Sequence, residues 1–466
     1  MYSTRSGIDC EVRKLRQSFA LSEGLPFTSL LTPELLKDVV ELRQQRIEPT
    51  YPSLTTLSLF LSQVLDEDQS CRQAVARLLA ELASRQLPAC GAGTGGYCKA
   101  RARLSEAVLQ KLARHTGRQL HQATEPSWQW RGRSVKVGDG STVLLADTPE
   151  NQREYPQPDS QKPGLGYPII RFVVLFCLAT GAVLDVALAP YFGKGTGELS
   201  LFRQMLESFS SGEVFLADRL FCSYFELVLL QERGVDAVVR CHQSRPVDFR
   251  QGKRLGHQDH IVVWKKPQRP VWMEQAQYDA MPDTLTVRQV EVPVTKKGFR
   301  TERLVIITTL LDAQEITVTD LGDLYRCRWQ AELSLRSLKC SMQMKDLRSR
   351  SPAMARKELW VYLLAYNLLR ALIVQAAQRA QRKPRQISFK GTVQILRAFQ
   401  DYLRFAKPET VTKLYDAILD AIACHVVDNR PDRHEPRALK KKHTRYPLLR
   451  LPRAQARRLA LKNRGM

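Results

Sequence analysis

Five residues in one short segment, Tyr325, Arg328, Glu332, Arg336 and Lys339, follow one another at steps of three, four, four and three. In a helix those steps return to one face. That face carries a single carboxylate among three cations and a phenol. A solvated salt-bridge ladder mixes its signs more evenly. One carboxylate among cations suits a group that holds a metal ion while its neighbours hold phosphate. Two further carboxylates stand where strands are predicted to end, Asp139 in Gly138-Asp139-Gly140-Ser141-Thr142 and Asp218 in Leu216-Ala217-Asp218-Arg219. Each alone reads equally well as a turn residue. Three carboxylates together match the oxygen ligands that Mg2+ takes. Two such ions activate an attacking oxygen and stabilise a leaving one.

The elements that must position these residues can be read from periodicity. Thr319 to about Ser341 is predicted as one long helix. The runs Ser134–Asp139 and Thr142–Asp147 are strand-like, so Asp139 is expected to follow a strand. Ile169 to Leu178 is a β-branched and aromatic run, and Thr180-Gly181 turns it into a second strand, Ala182 to Leu188. Glu198 to Phe209 has a helical pattern. Glu213 to Asp218 is a short buried strand, Phe225 to Arg233 a helix, and Ala237 to Arg240 another strand. The expected order is β-β-β-α-β-α-β, an α/β domain. Residues 245–312 are again β-rich, with runs at Ile261–Trp264, Val287–Val292 and Leu304–Leu311, and read as an insertion into that order.

Residues 1–125 read as helical. Thr32 and Pro33 open a helix over Pro33–Leu42, and Ser70–Leu87 has helical spacing. The stretch Ala92–Tyr97 breaks the pattern. Cys98–Leu112 follows as a helix with Lys99, Arg101 and Arg103 near its start, cations suited to phosphates or simply a solvated face. Arg356 to about Gln381 is a long apolar helix, and residues 386–424 hold two shorter ones. Arg430 to Met466 has thirteen Lys or Arg against Asp432 and Glu435, with little periodicity. It is expected to be disordered alone and to order on a polyanion.

Composition narrows the partners. The 466 residues carry a net charge of +24, with 71 Lys and Arg against 47 Asp and Glu. A field of that sign attracts polyanions, nucleic acid above all. The ten cysteines form no Cys-x-x-Cys pair, and the N-terminal residues show no signal-peptide pattern, which suggests a reduced cytoplasmic protein. The most apolar run, Leu359–Val374, contains Asn367 and Arg370 and is too short to span a membrane, so it reads as a buried helix. Gly193-Lys194-Gly195-Thr196-Gly197-Glu198 lacks the earlier glycine of a phosphate-binding loop, with Leu188 in its place, and reads as a flexible loop. His257, His260, Cys241 and His242 fit no closed zinc spacing.

The spacing Tyr-x2-Arg-x3-Glu-x6-Lys at Tyr325, Arg328, Glu332 and Lys339 resembles the signature of the "insertion sequence four" transposases. Asp139-Gly140-Ser141-Thr142 resembles that family's first-Asp motif, and Ala217-Asp218-Arg219-Leu220-Phe221 its second. Leu363–Arg370 resembles the helix that follows the signature. The resemblance covers about residues 30 to 380. It implies an RNase H-like catalytic core, with a β-rich insertion before the Glu helix, a helical N-terminal domain and a helical, basic C-terminal region. The corresponding divisions are 1–125, 126–244, 245–312, 313–381 and 382–466.

It further implies that Asp139, Asp218 and Glu332 bind two Mg2+ ions, with Mn2+ able to substitute. Arg328 and Lys339 would contact phosphates of the transferred DNA end and Tyr325 would hydrogen-bond one. Trp329 is expected either to pack in the core or to meet a flipped-out base. The partners implied are double-stranded element ends and target DNA, with two protomers in the synaptic complex and no membrane, in a bacterial cytoplasm at the nucleoid. The reaction implied is cut-and-paste transposition through a hairpin. Two other readings remain, a non-catalytic transposase-derived DNA-binding regulator and a structure-specific nuclease of the same fold. The complete carboxylate set argues against the first, and the basic tail and insertion argue against the second.

Overall fold

A computed structural model describes residues 51–84, 86–293, 303–406, 408–427 and 447–462 of the chain. The helix expected over Pro33–Leu42 and most of the basic tail lie outside them.

Strand β1 runs over Val135–Leu144 without interruption. The two strand-like runs around Gly138-Asp139-Gly140 are therefore one strand, and Asp139 sits within it rather than after it. The turn-like residues stay extended because the pairing of β1 with β2 (Ile169–Cys177) runs through them. Strand β1 is antiparallel to β2, with Asp139 opposite Val174, and parallel to β4 (Val214–Ala217), with Val137 opposite Leu216. Gly138 is needed for close packing, since a Cβ there would lie 2.7 Å from the Phe215 ring. Strand β3 (Val183–Pro190) pairs with β2, and β5 (Asp236–Arg240) lies parallel to β4.

The β-rich segment joins this same sheet. Strands β6 (Lys253–Gly256), β7 (Asp259–Lys265), β8 (Thr284–Pro293) and β9 (Arg303–Thr308) form an antiparallel meander whose last strand pairs with β5. The full order is β3-β2-β1-β4-β5-β9-β8-β7-β6. Strand β6 is short and polar, and its periodicity gave no signal.

Helices cover the two faces. Helices α1 (Ser53–Leu65), α2 (Cys71–Ser84), α3 (Gly95–Arg103) and α4 (Glu106–Gln122) precede β1. The single helix expected over Cys98–Leu112 is thus two, divided at Leu104 and Ser105. Ser105 caps the second by accepting from Val108 N at 3.4 Å. Helix α5 (Pro149–Glu154) links β1 to β2. Helix α6 covers only Glu198–Arg203, with a 3-10 turn at Leu206–Ser208, so the helix expected over Glu198–Phe209 is shorter. Helix α7 (Tyr224–Gln231) follows β4, and α8 (Gln275–Ala280) lies in the meander.

The segment expected as one helix over Thr319–Ser341 is divided into α9 (Val318–Arg326), α10 (Trp329–Arg336) and a π turn at Ser337–Ser341. At the break, Cys327 and Arg328 donate to carbonyls three residues back, at 2.9 and 3.0 Å, tightening the turn. The π turn then widens the backbone, with Met342 N reaching Ser337 O at 3.0 Å. Thr317 and Asp320 form a capping box that starts α9.

Helix α11 (Pro352–Arg379) is apolar all round because it passes through the core, with 94% of its most apolar window buried. Its length and composition would also cross a membrane, but its polar residues serve the interior. Asn367 accepts from Val183 N at 2.8 Å and donates to Ala113 O and Val183 O at 2.9 Å, locking α11 to α4 and β3. Helices α12 (Phe389–Phe405) and α13 (Pro408–Cys424) follow. Part of the tail expected to be disordered is a helix, α14 (Arg453–Lys462).

Asp259 and Arg288 make the deepest ion pair of the meander. Arg288 is 0% exposed, donates to both Asp259 oxygens at 2.7 and 2.6 Å, and reaches Ile316 O at 2.6 Å. The pair ties β7 and β8 to the loop before α9. Arg288→Met is expected to cost about 3–5 kcal/mol, because it strands a buried Asp259. Urea unfolding measures this, and a loss below about 1 kcal/mol would mean that water reaches the pair.

Candidate active site

Asp139 and Asp218 come from neighbouring parallel strands. Extending the register from Val137 opposite Leu216 by two residues sets Asp218 beside Asp139. Such strands lie about 4.8 Å apart. Asp218 follows the last residue of β4, where its Oδ1 accepts from Leu220 N at 2.8 Å and caps a 3-10 turn. Asp139 Oδ1 accepts from Gly140 N at 2.9 Å. Glu332 stands in the first turn of α10, which packs on β1. Its carboxylate is paired with Arg328 one turn earlier.

The three carboxylates share one electrostatic environment. Burial pushes Asp139 up to about 6. Arg328 and the Gly140 amide pull it down, and Asp218 and Glu332 push it up further. Tyr325 is buried, and its phenol is pushed up to about 12 by burial, with Arg328 and Arg240 opposing and Asp218 reinforcing. Lys339, on the π turn, donates to Ser141 Oγ at 3.1 Å, two residues beyond Asp139 on β1. Its ammonium is lowered chiefly by burial. The two irregularities in the signature segment therefore leave Tyr325, Arg328, Glu332 and Lys339 gathered at the carboxylate end of β1 and β4.

The other expected nucleic-acid residues divide. Trp329 is 49% exposed beside Glu332, which answers the choice between core packing and an open ring. Arg336 is exposed. Lys99 and Arg103 are exposed on α3, but Arg101 turns inward. Its guanidinium lies over the Phe60 and Tyr97 rings and donates to Gln63 at 3.3 Å. The expectation that all three cations of α3 face outward is corrected there, since alternate residues of a helix cannot share one face. In the meander, Asp259 is held by Arg288, and His260 bonds Gln289 at 3.1 Å.

The periodicity missed one acidic neighbour. Glu198, expected only as the start of a helix after a flexible loop, begins α6 with its carboxylate against Gly140. Burial raises it, Arg171 opposes, and Asp218 raises it further. The only trace in the sequence is the glycine after Asp139, whose reason is visible only in three dimensions.

Hard oxygen donors from Asp139, Asp218 and Glu332, with excess negative charge around Asp139, fit a divalent cation. Among the described residues no three such side chains stand at metal-ligand spacing. In this conformation Arg328 holds Glu332.

The family model described as "Transposase DDE domain" matches residues 130–368, which include all three carboxylates. The chain belongs to this family and is a DDE transposase, an enzyme that cleaves DNA and transfers its strands. It is similar to the transposase InsG for insertion sequence element IS4 of Escherichia coli (strain K12). The two are 28% identical over 444 residues, covering 91% of this chain and 94% of the relative. Among solved structures, a cryo-EM structure of the piggyBac transposase synaptic complex with hairpin DNA aligns over 90% of this chain and 87% of its own. Identity there is 12% and the TM-score 0.40, too distant to bear on the site.

Proposed function

We propose that Asp139, Asp218 and Glu332 are the catalytic carboxylates of this transposase and hold two Mg2+ ions, which Mn2+ can replace. The observation that carries this reading is that parallel β1 and β4 lead both aspartates to one end of the sheet, where the charges of Asp218 and Glu332 reach Asp139 and α10 packs on β1. The β3-β2-β1-β4-β5 part of the sheet, antiparallel from β3 to β1 and parallel from β1 to β5, supports an RNase H-like core made of 126–244 and 313–381. The meander at 245–312 is the insertion. Residues 1–125 form the N-terminal domain, and 382–466 the basic C-terminal region.

When bound, the ions lower the cost of charge on the attacking and leaving oxygens. The chain's own residues do the positioning. Asp139 is held by the pairing of β1 with β2, and Asp218 by the turn it caps just past β4. Glu332 must leave Arg328 to complete the set, which frees the guanidinium for a phosphate. Lys339 and Arg336 bind neighbouring phosphates, Tyr325 hydrogen-bonds one, and the open Trp329 ring stacks on an unpaired base. Lys99 and Arg103 meet the duplex at a distance, and Arg101 supports them from within.

Water attacks the phosphodiester at the element end and frees a 3′-hydroxyl. That hydroxyl attacks the opposite strand, closing a hairpin and releasing the flanking DNA with a 3′-hydroxyl; water then re-opens the hairpin, and the regenerated 3′-hydroxyl of the element attacks target DNA. Two protomers hold two ends, in the bacterial cytoplasm at the nucleoid. The net charge of +24 supports polyanion binding but not its sequence preference.

The test uses labelled duplexes bearing the element's own ends. Wild type is expected to cut at the end with Mg2+ or Mn2+ and to bind without cutting in EDTA. Binding with no cleavage under any divalent cation would favour the non-catalytic regulator. Cleavage of branched or hybrid DNA without regard to the ends would favour the nuclease.

A further inference from the structure

Cys71 opens α2, and Cys98 stands in the first turn of α3. They are 27 positions apart, yet the Cys98 thiol donates to Cys71 Sγ at 3.8 Å. Both residues are half-buried, so each is open to a small solute while its sulfur meets the other. A disulfide holds its sulfurs about 2.05 Å apart, so closing this pair needs an approach of about 1.8 Å, which rotation of two short side chains can supply.

Cys71 is also prepared by its neighbours. From α1, Gln63 Nε2 reaches Cys71 Sγ at 3.9 Å and donates to Gln69 O at 2.8 Å. Gln63 Oε1 accepts from Tyr97 Oη at 2.9 Å and from Arg101 at 3.3 Å. A donor on the sulfur, with a cation behind that donor, favours thiolate over thiol. Burial acts the other way and holds the Cys71 thiol above its usual range, with Arg101 opposing. Cys71 therefore rests as a thiol, with a cation placed to ease the loss of its proton. Ordinary packing accounts for a half-buried cysteine. It does not call for a second sulfur in contact with the first, nor for an amide and a guanidinium beside them.

We infer that Cys71 and Cys98 are a redox-active dithiol whose substrate is hydrogen peroxide, and that its oxidation bonds α2 to α3. The Cys98 thiolate attacks one peroxide oxygen. An S–O bond forms, the O–O bond breaks, and the leaving hydroxide takes up the proton that Cys98 gave. Cys71 then attacks Cys98 Sγ. An S–S bond forms, the S–O bond breaks, and the hydroxyl leaves as water with the proton of Cys71. Two thiols lose two electrons, and one peroxide becomes two waters. In a reducing cytoplasm the dithiol is the resting state. Lys99 and Arg103 flank Cys98 on α3, so the bond fixes the helix that displays them.

The test treats the full chain with hydrogen peroxide, blocks the remaining thiols with N-ethylmaleimide, and reads a non-reduced digest by mass spectrometry. The expected product is a pair of peptides joined through Cys71 and Cys98, which dithiothreitol separates. Cys90 is the control, since its sulfur lies against Tyr51 Oη at 3.8 Å. Cys90→Ser should close as wild type does. Cys71→Ser should instead leave Cys98 as a sulfenic acid that dimedone labels. Closed wild type should melt roughly 3–6 °C above the reduced protein, a shift absent from Cys71→Ser. The inference is overturned if Cys71 and Cys98 stay as blocked thiols, or join other cysteines, at peroxide levels that oxidise the exposed Cys340 and Cys424. Closure that leaves the melting temperature unchanged would overturn the fastening of α2 to α3.

Discussion

Glu332→Gln is expected to leave DNA binding intact and to reduce end cleavage by on the order of 10³-fold or more, the equivalent of several kcal/mol of transition-state stabilisation. Glutamine keeps the length and packing of the side chain in α10, so the fold has little reason to change. What is lost is the charge. The substitution also removes the Arg328 partner seen here. Phosphate binding by Arg328 should therefore be undiminished or stronger, and the affinity for end DNA should not fall. Single-turnover cleavage and gel-shift titration on one labelled duplex separate the two effects. Equal loss of binding and cleavage would mean that Glu332 serves the architecture of the site instead of its chemistry.

Asp139→Asn should abolish cleavage to a similar degree and yet stabilise the metal-free protein. Burial and two neighbouring carboxylates push Asp139 up to about 6 from an ordinary value of 3.8, so ionising it costs more in the folded chain than in the unfolded one. The contribution to stability is fully present below about pH 3.8 and is lost as pH rises through about 6. Asparagine, neutral at every pH, escapes this loss. In EDTA at pH 8 the variant should be about 2 kcal/mol more stable than wild type, with the gap closing as pH falls below 6. Mg2+ should raise the melting temperature of wild type at pH 8 and do little for the variant. A variant that melts below wild type at pH 8 would show that the Gly140 amide and Arg328 already satisfy the carboxylate without metal.

Both effects come from one arrangement. Asp139 is buried near two other carboxylates, so its charge is costly in the metal-free fold, and a cation bound there would relieve that cost. Elsewhere the buried pair of Arg288 with Asp259 fastens the meander to the loop before α9.

The sequence by itself determined much of the chain's order and displayed the residues proposed here for the site. The helical steps from Tyr325 to Lys339 and the strand-to-Asp pattern at Asp218 are local, and local periodicity is what a sequence displays openly. The β-β-β-α-β-α-β order and the buried α11 were legible for the same reason. Only the tertiary structure decided the rest. Gly138-Asp139-Gly140 looks like a turn until pairing with β2 holds it extended. The signature helix looks continuous, yet the chain tightens at Arg328 and widens in the π turn that carries Lys339. Arg101 matches its exposed neighbours in charge, but its place on α3 turns it onto aromatic rings. Glu198 lies 58 positions from Gly140, and no spacing rule connects them. Contacts made across a sheet depend on pairing and register, which are set by the whole core and leave little trace in any short run of residues.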